Sequence, residues 1–297
     1  MSDAVANRAP QGEDELTTIL DVERLEDNFF RGIATPSGRG RSFGGQVIAQ
    51  ALMSATRTVS DDRAAHSLHA YFMRPGNAAE PVLYQIERDR DGGSFTTRRV
   101  VAVQSGRPIL NMAASFQVDE PGLHHQEDMP KVPPPEDLLN EQELAEAHRE
   151  NLEDEYYKFL KRARPIEVRP CEPRPPFEET GSILVQHAWM RARAAMPDSP
   201  ALHRTALAYT SDMGILGASL TRNGVSFGRE DMMVASLDHA LWMHGDLRMD
   251  EWLLYVMDST WSGKARGFTR GRIFTRDGRM VANVAQEGLI RKISAKT

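Results

Sequence analysis

The chain has 297 residues, of which 40% are hydrophobic, and its 36 basic and 42 acidic side chains leave a net charge of −6. This length can bury one large core or two ordinary ones, while the mildly acidic charge excludes the basic surface of a general nucleic-acid binder. The single cysteine, Cys171, can form neither an internal disulfide nor a thiolate metal site. No stretch approaches the ~18 apolar residues of a membrane span and no export signal is found, so we expect a cytoplasmic protein.

Residues 1–15 are small, polar and acidic, which predicts a flexible tail. After Phe43-Gly44-Gly45-Gln46, the segment VIAQALMSATRTV is apolar or small on nearly every side, which is typical of a helix buried all round. Alternating apolar residues then predict antiparallel strands, because turn residues such as Asp91-Gly92-Gly93 and Ser105-Gly106 separate the runs. These strands are predicted at residues 67–73, 82–88, 95–104 and 109–118.

The composition changes between residues 119 and 162. A proline triplet at 133–135 precedes an acidic, helix-prone segment, EDLLNEQELAEAHRENLEDEYYKFL, and together they predict a linker that carries an exposed helix. Order resumes near Pro165, and a second helix is predicted over LHRTALAYTSDMGILGASL, residues 202–220. Further strands are predicted at 166–169, 184–191, 232–237, 251–259, 267–275 and 280–290, with a hairpin turn at Asp277-Gly278.

The two ordered halves of the chain repeat each other. The segment GRPILNMA that begins at Gly106 is matched 172 residues later by GRMVANVA at Gly278, and Ser67-Leu68 is matched 169 residues later by Ser236-Leu237. Each half also runs from a buried helix to a strand, a long hairpin and a final strand. We therefore predict an α+β protein in which each half has one curved antiparallel sheet around its own apolar helix. The two domains are predicted at residues 16–118 and 163–297.

Short motifs in both halves, taken in order, point to one protein family. The first half contains FGGQ (43–46), HSLHAYFMRPG (66–76), DGGSF (91–95) followed by Arg98-Arg99, and ASFQ (114–117). The second half contains TSDMGIL (210–216), SLDHALWMH (236–244), DEWLLY (250–255), ARGFTRG (265–271) and AQEGLIR (285–291). From about residue 16 to 293 the chain thus resembles the type II acyl-CoA thioesterases. The resemblance implies the double-hotdog fold, in which an antiparallel sheet wraps a long helix in each half.

Asp212 lies within ALAYTSDMGILGASL, where nearly every neighbour is apolar or small, so its helix is predicted to be enclosed. Enclosure disfavours a charged carboxylate and raises its pKa unless donors compensate, and acids of this kind are candidate general bases. The alternative is a structural aspartate that caps the helix or bonds to Thr210 or Ser211. The resemblance assigns Asp212 to the catalytic aspartate of the family.

Gln286 is the single polar residue on one face of the last predicted strand. A buried amide must find partners, which are either backbone groups or something mobile such as water. In the resemblance, Gln286 matches the catalytic glutamine, and Ser236 matches a third catalytic residue that is usually threonine. Serine keeps the hydroxyl group but lacks the methyl group that restricts the rotamer. The apolar or small residues that share the face of Gln286 are Met280, Ala282, Val284, Gly288 and Ile290.

The resemblance implies hydrolysis of acyl-CoA thioesters to free fatty acid and coenzyme A. Asp212, Ser236 and Gln286 would together orient and activate one water molecule, without a metal ion or another cofactor. The phosphates of coenzyme A need a local cluster of positive charge on an acidic chain, and Lys264 and Arg266 are the candidates for it. Proteins of this type usually assemble further because curved sheets leave edges and faces to cover, so we expect a homo-oligomer.

Two other functions stay open at this point, a hotdog-type enoyl-CoA hydratase and a non-catalytic regulator that binds acyl-CoA. Such hydratases pair an acidic residue with a histidine in one buried helix, and residues 210–216 contain no histidine. A third pattern, G-x-S-x-G at residues 224–228, is typical of serine hydrolases, but a helix rather than a strand precedes it here.

Ser236, Asp238 and His239 stand close together in the chain, like a hydrolase triad in one line. Adjacent residues of a strand point to opposite faces, so these side chains are not predicted to converge. His239 and His244 also lack a third metal ligand at any recognisable spacing, and we expect them at strand ends or on the surface. No metal site is therefore predicted.

Overall fold

The structure is a computed structural model that describes residues 15–35, 40–162, 164–172, 183–225 and 231–293. Residues 1–14 of the predicted tail and residues 226–228 of the G-x-S-x-G pattern lie outside the described residues. Two compact units are present. One contains the described residues up to Asp119 together with Pro197–Tyr209, and the other contains the described residues of 120–196 and those from Thr210 onward. The domain boundaries predicted at 118/119 and 162/163 stay predictions.

The α-helices of the described residues are α1 (Glu15–Leu20), α2 (Gly44–Thr56), α3 (Glu141–Ala147), α4 (Asp154–Lys161), α5 (Pro200–Ser211) and α6 (Gly217–Arg222). None of these helices has the length and apolar character needed to cross a membrane. The continuous helix predicted over 202–220 is wrong, because α5 ends at Ser211 and α6 begins at Gly217. Gly214 lies between them in a left-handed conformation, with φ +77°, which ends helical hydrogen bonding.

In the first unit, one sheet surrounds one helix. The strands are β1 (Val22–Glu26), β2 (Phe29–Gly32), β3 (Arg63–Phe72), β4 (Val82–Asp91), β5 (Phe95–Gln104) and β6 (Arg107–Val118). They pair antiparallel in the order β1-β2-β4-β5-β6-β3. Helix α2 contacts all six strands, and its residues from Gly45 to Ala55 are buried. The prediction of a helix without a solvent-facing side is confirmed.

The second unit repeats this arrangement. Its strands are β7 (Ile166–Pro170), β8 (Val185–Ala192), β9 (Met232–Ser236), β10 (Asp238–Met243), β11 (Leu253–Gly263), β12 (Arg266–Thr275) and β13 (Met280–Lys292). They pair antiparallel in the order β7-β8-β11-β12-β13-β10, and β9 also pairs with β13. This order matches the first unit strand for strand, with β9 as the addition. The internal repeat predicted from the sequence is therefore confirmed.

The connecting segment folds into two short helices, α3 and α4, where a single exposed helix was predicted. Asn140 starts α3 with a capping box, in which its side chain accepts from the backbone of Glu143 and the Glu143 side chain accepts in return. Farther back, the carbonyl of Pro133 accepts a hydrogen bond from Trp189 Nε1 at 2.9 Å, which ties the segment to β8. The two helices are held together by a buried apolar cluster of Ala145, Leu152 and Leu160.

Gly45, near the start of α2, is expected not to tolerate a side chain. A methyl group there would lie 2.3 Å from the main-chain oxygen of Tyr209, whose ring meets the ring of Phe43 edge to face. Because a backbone atom cannot move aside cheaply, Gly45→Ala should lower the free energy of unfolding by about 1–3 kcal/mol. Urea denaturation measures this change. The matched control is Gly217→Ala, since Gly217 is helical and has no atom within 4 Å of the added methyl group. Equal stability of the two variants would contradict the packing argument.

Candidate active site

Asp212 occupies the break between α5 and α6, directly after the last residue of α5. The N–H of Met213 donates to the carbonyl of Thr210 at 2.9 Å, so the chain turns as soon as the helix ends. This turn leaves the Asp212 residue half-buried, whereas a continuous helix was predicted to enclose it. Asp212 therefore lies at a helix end and is not enclosed within a helix.

The structure brings the three predicted site residues together. Gln286 lies on β13, is 1% exposed, and donates from Nε2 to Ser236 Oγ at 2.9 Å. Ser236 is the last residue of β9, and its Oγ donates to Asp212 Oδ1 at 3.4 Å. Because an ionised carboxylate only accepts hydrogen bonds, the single hydroxyl hydrogen of Ser236 is donated to Asp212. The hydroxyl oxygen of Ser236 then accepts from Gln286. The three residues form one hydrogen-bonded chain with a defined direction.

A β-bulge lies beside this chain, at the junction of β9 and β10. Ser236 pairs with Gly288 of β13, and Ala240 pairs with Ala285 of the same strand. The polypeptide therefore advances four residues from Ser236 to Ala240, while β13 advances only three residues between their partners, Gly288 and Ala285. One residue is extra, which is the definition of a bulge.

The extra residue reverses the alternation of side chains. Glu287 faces two residues, since its carbonyl accepts from the N–H of Leu237 at 2.9 Å and its own N–H donates to Asp238 Oδ1 at 2.6 Å. The carboxylate of Asp238 thereby supplies the partner that the bulge removes from the ladder. Past the bulge, His239 points to the same face as Ser236, although an odd number of positions separates them.

His239 is a member of the site that sequence reasoning missed: it lies near the start of β10, one of the two predicted places, but it is buried and not on the surface. It is 1% exposed, with Nδ1 2.5 Å from Gln286 Oε1 and Nε2 2.9 Å from Ser211 Oγ. Burial lowers the pKa of His239 to about 4, against the opposing effects of the Gln286 hydrogen bond and the Asp238 charge. The imidazole is therefore neutral at pH 7. Among the described residues, no group of three or more His, Cys, Asp or Glu side chains could hold a metal ion.

Tyr255 is a second residue that the sequence did not reveal. It is fully buried on β11, and its Oη donates to the carbonyl of Ser211 at 2.7 Å. Burial, followed by the charge of Asp212, raises the pKa of Tyr255 well above its ordinary value, so the phenol stays a donor. Gly271 makes room for it, since a methyl group there would lie 2.4 Å from the Tyr255 ring. Tyr255 thus anchors the end of α5 from which Asp212 projects.

Lowering the pH from 6.5 to 4 is expected to destabilise the fold through His239. The folded pKa of about 4 lies below the ordinary value of 6.5, so the unfolded chain binds more protons in this window and stability falls as the pH falls. The shift corresponds to about 3 kcal/mol, fully retained above pH 6.5. Urea unfolding of the wild type and of His239→Asn across this range measures it. Parallel stability curves for the two proteins would contradict the assignment.

The two predicted coenzyme A residues lie at the hairpin between β11 and β12. Lys264 is in the turn, with φ +49°, and Arg266 is the first residue of β12. Arg266 Nη1 is 3.1 Å from Glu287 Oε2, and the guanidinium lies 5.6 Å from the ring centroid of Trp261. Arg266 pairs with Leu289 across the ladder and so occupies the face opposite to that of Gln286. Their role in binding coenzyme A stays a prediction.

Comparisons with known proteins agree with this architecture. The chain matches the family model for acyl-CoA thioesterase over residues 159–289 and the model for the acyl-CoA thioesterase N-terminal domain over residues 34–117. A protein of unknown function with a hot dog fold from Alicyclobacillus acidocaldarius has a TM-score of 0.74 at 19% identity, covering 94% of this chain and 98% of its own. That likeness concerns the fold alone, and the predicted α+β double hotdog is confirmed.

Two relatives carry the comparison from fold to family. The chain is 40% identical to human acyl-coenzyme A thioesterase 8 over 284 residues, which cover 93% of this chain and 88% of that protein. The crystal structure of an acyl-CoA thioesterase II from Mycobacterium marinum has a TM-score of 0.76 at 44% identity and covers 95% of this chain and 100% of its own. These matches do not favour the hydratase or the non-catalytic regulator. The chain belongs to the type II acyl-CoA thioesterase family and hydrolyses acyl-CoA thioesters.

Proposed function

We propose that Asp212 is the general base of this hydrolysis and that Ser236 and Gln286 position the attacking water molecule beside it. The observation that carries the proposal is the pair of contacts from Gln286 Nε2 to Ser236 Oγ and from Ser236 Oγ to Asp212 Oδ1. Gln286 is buried while Asp212 is half-buried, so the hydrogen-bonded chain leads from the interior toward the more exposed Asp212. All three residues belong to the predicted second domain, residues 163–297.

The reaction proceeds without a covalent acyl-enzyme. The water oxygen attacks the thioester carbonyl carbon while one of its protons passes to Asp212. The tetrahedral intermediate then collapses, the C–S bond breaks, and the coenzyme A sulfur leaves with the electron pair and takes up the proton from Asp212. The products are a free fatty acid and the coenzyme A thiol, and the carboxylate is again ionised. Ser236 and Gln286 contribute by fixing the water before it reacts.

Lys264 and Arg266 are proposed to attract the phosphates of coenzyme A. The support is their position in one hairpin, where the turn residue Lys264 adds a cation beside the partly neutralised Arg266. Lys264→Ala should raise KM for acyl-CoA severalfold and leave kcat unchanged, because a phosphate contact far from the carbonyl acts on ground state and transition state alike. Steady-state kinetics at low and moderate salt measures this. A changed kcat with constant KM would count against the assignment.

A thiol-release assay tests the proposed role of the site residues in this hydrolysis and defines the acyl chain that is preferred. The protein is incubated with acyl-CoAs of increasing chain length, and free coenzyme A is followed with a thiol-reactive dye. Release with the wild type and its loss on Gln286→Ala support the proposal. Hydration of crotonyl-CoA without thiol release would favour a hydratase, and tight binding without any turnover would favour a regulator. Either of these two results would overturn the proposed hydrolysis at Asp212.

The oligomeric state, the compartment and the metabolic role of the enzyme are also part of the proposal. We infer a cytoplasmic homo-oligomer that acts in fatty-acid metabolism on acyl-CoA. Support for the assembly comes from apolar residues exposed on the first unit, where Tyr71 of β3 is 63% exposed and Leu83 of β4 is 45% exposed. Large apolar side chains of this kind often mark a surface that another chain covers. Light scattering after size-exclusion chromatography gives the stoichiometry, and a monomer at micromolar concentration would refute the inference.

A further inference from the structure

The buried imidazole of His239 is bonded through both of its nitrogens to groups of the site. Nδ1 contacts the carbonyl oxygen of the Gln286 side chain at 2.5 Å, and Nε2 contacts the hydroxyl of Ser211 at 2.9 Å. Ser211 is itself fully buried and ends α5, one residue before Asp212. His239 therefore links Gln286 to Ser211, the residue that directly precedes Asp212.

The hydrogen positions in this network follow from the charge of Asp212. Its carboxylate requires the hydroxyl hydrogen of Ser236, so Ser236 Oγ must accept from the NH₂ group of Gln286. The amide oxygen of Gln286 then faces His239 and only accepts, which places the ring proton on Nδ1. In the neutral ring Nε2 is left as an acceptor, and Ser211 Oγ donates to it.

The result is a chain of donors that runs in one direction. It passes from Ser211 to His239, from His239 to Gln286, from Gln286 to Ser236 and from Ser236 to Asp212. Reversing any one bond would leave two donors or two acceptors facing each other in a buried site. The orientation of the Gln286 amide is thus held from both sides.

We propose that His239 is a positioning residue for thioester hydrolysis, which holds the Gln286 amide so that one Nε2 hydrogen serves Ser236 and the other is free for the reacting water. The inference rests on the proposed function, since it acts through Gln286. The β-bulge at Leu237 and Asp238 is what aims His239 at Gln286. Without the extra residue the imidazole would point to the other face of the sheet.

Two variants of equal shape separate this role from a packing role. His239→Asn keeps an amide N–H close to the position of Nδ1, while His239→Leu has the same branching and no donor. We expect kcat of the Asn variant to exceed that of the Leu variant by about 10-fold or more at similar KM, as for other partners that orient a reacting group. Equal losses of kcat in the two variants, or losses that follow their melting temperatures, would overturn the proposal.

The tautomer of His239 provides a test that is independent of activity. In protein labelled with ¹⁵N-histidine, nine histidines give signals, and the signal of His239 is the one lost in His239→Asn. We expect Nδ1 to carry the proton at pH 7 and Nε2 to be unprotonated. A proton on Nε2 would overturn the proposal. If Nδ1 is protonated but Gln286→Ala keeps full activity, the proposed function fails instead, and the two failures are therefore distinguished.

Discussion

Asp212→Asn is expected to lower kcat for thiol release by about 10²–10⁴-fold, the range that a general base contributes. The asparagine retains an oxygen that can accept from Ser236 Oγ, so the local geometry survives. It cannot take the proton of the attacking water at neutral pH, so the chemical step is lost while the fold is kept. Steady-state thiol release, with a melting curve to verify folding, measures both effects.

The matched control is Asp238→Asn, in the same part of the second unit. Asp238 accepts the N–H of Glu287, and an asparagine oxygen can take over that bond. We expect this variant to keep kcat within about threefold, because it removes a nearby charge but no proton acceptor of the reaction. Similar losses in the two variants would show that Asp212 acts through general electrostatics. Wild-type rates in Asp212→Asn would remove it from the mechanism.

Arg98→Met is expected to lower the free energy of unfolding by about 2–4 kcal/mol, the second large effect. Arg98 is 1% exposed on β5, and all five of its N–H groups have acceptors. Three of them donate to Thr58 Oγ1, to the Thr58 carbonyl and to the carboxylate of Asp91, and Thr58 lies just beyond the end of α2. The remaining two donate to the carbonyls of Arg90 and Thr97. Methionine fills similar space but leaves the two buried acceptors of Thr58 without this donor, while the exposed Asp91 carboxylate can bind water.

The neighbouring arginine supplies the control for this prediction. Arg99 is exposed and pairs with Asp89 and Glu87 on the same sheet. Exposed ion pairs contribute little to stability, so Arg99→Met should unfold at the same urea concentration as the wild type. Urea denaturation of the two variants side by side is the measurement. If the urea midpoints of both variants fall equally, the buried hydrogen bonds of Arg98 do not stabilise the first unit more than the exposed ion pairs of Arg99.

Much of the fold was predictable because its strands are long and bury one face. The run predicted at 95–104 coincides with β5, and the repeat of GRPILNMA by GRMVANVA corresponds to β6 and β13 in equivalent places of the two sheets. Strand β2 was not predicted, since its four residues, Phe29–Gly32, offer too few alternations to identify. The contacts among Asp212, Ser236 and Gln286 were expected from the family resemblance, not from the residue pattern.

Two features of the site were not predictable, for different physical reasons. The apolar pattern continues through the break after Ser211, so only Gly214 signals that the helix ends there. The bulge between Ser236 and Ala240 is a property of the pairing with β13, and alternation within a single strand cannot reveal an extra residue. For this reason the regular alternation of side chains along a strand assigned His239 to the wrong face of the sheet.

Hydrolysis of one equivalent of acyl-CoA in ¹⁸O-labelled water, with the enzyme in excess, tests most directly whether Asp212 activates water. After a single turnover, mass spectrometry of the products locates the heavy oxygen. Attack by a water molecule held at Asp212 predicts one ¹⁸O in the fatty acid and none in the protein. Label in the Asp212 carboxylate, with unlabelled fatty acid, would mean that the carboxylate itself attacks the thioester, and would contradict the account.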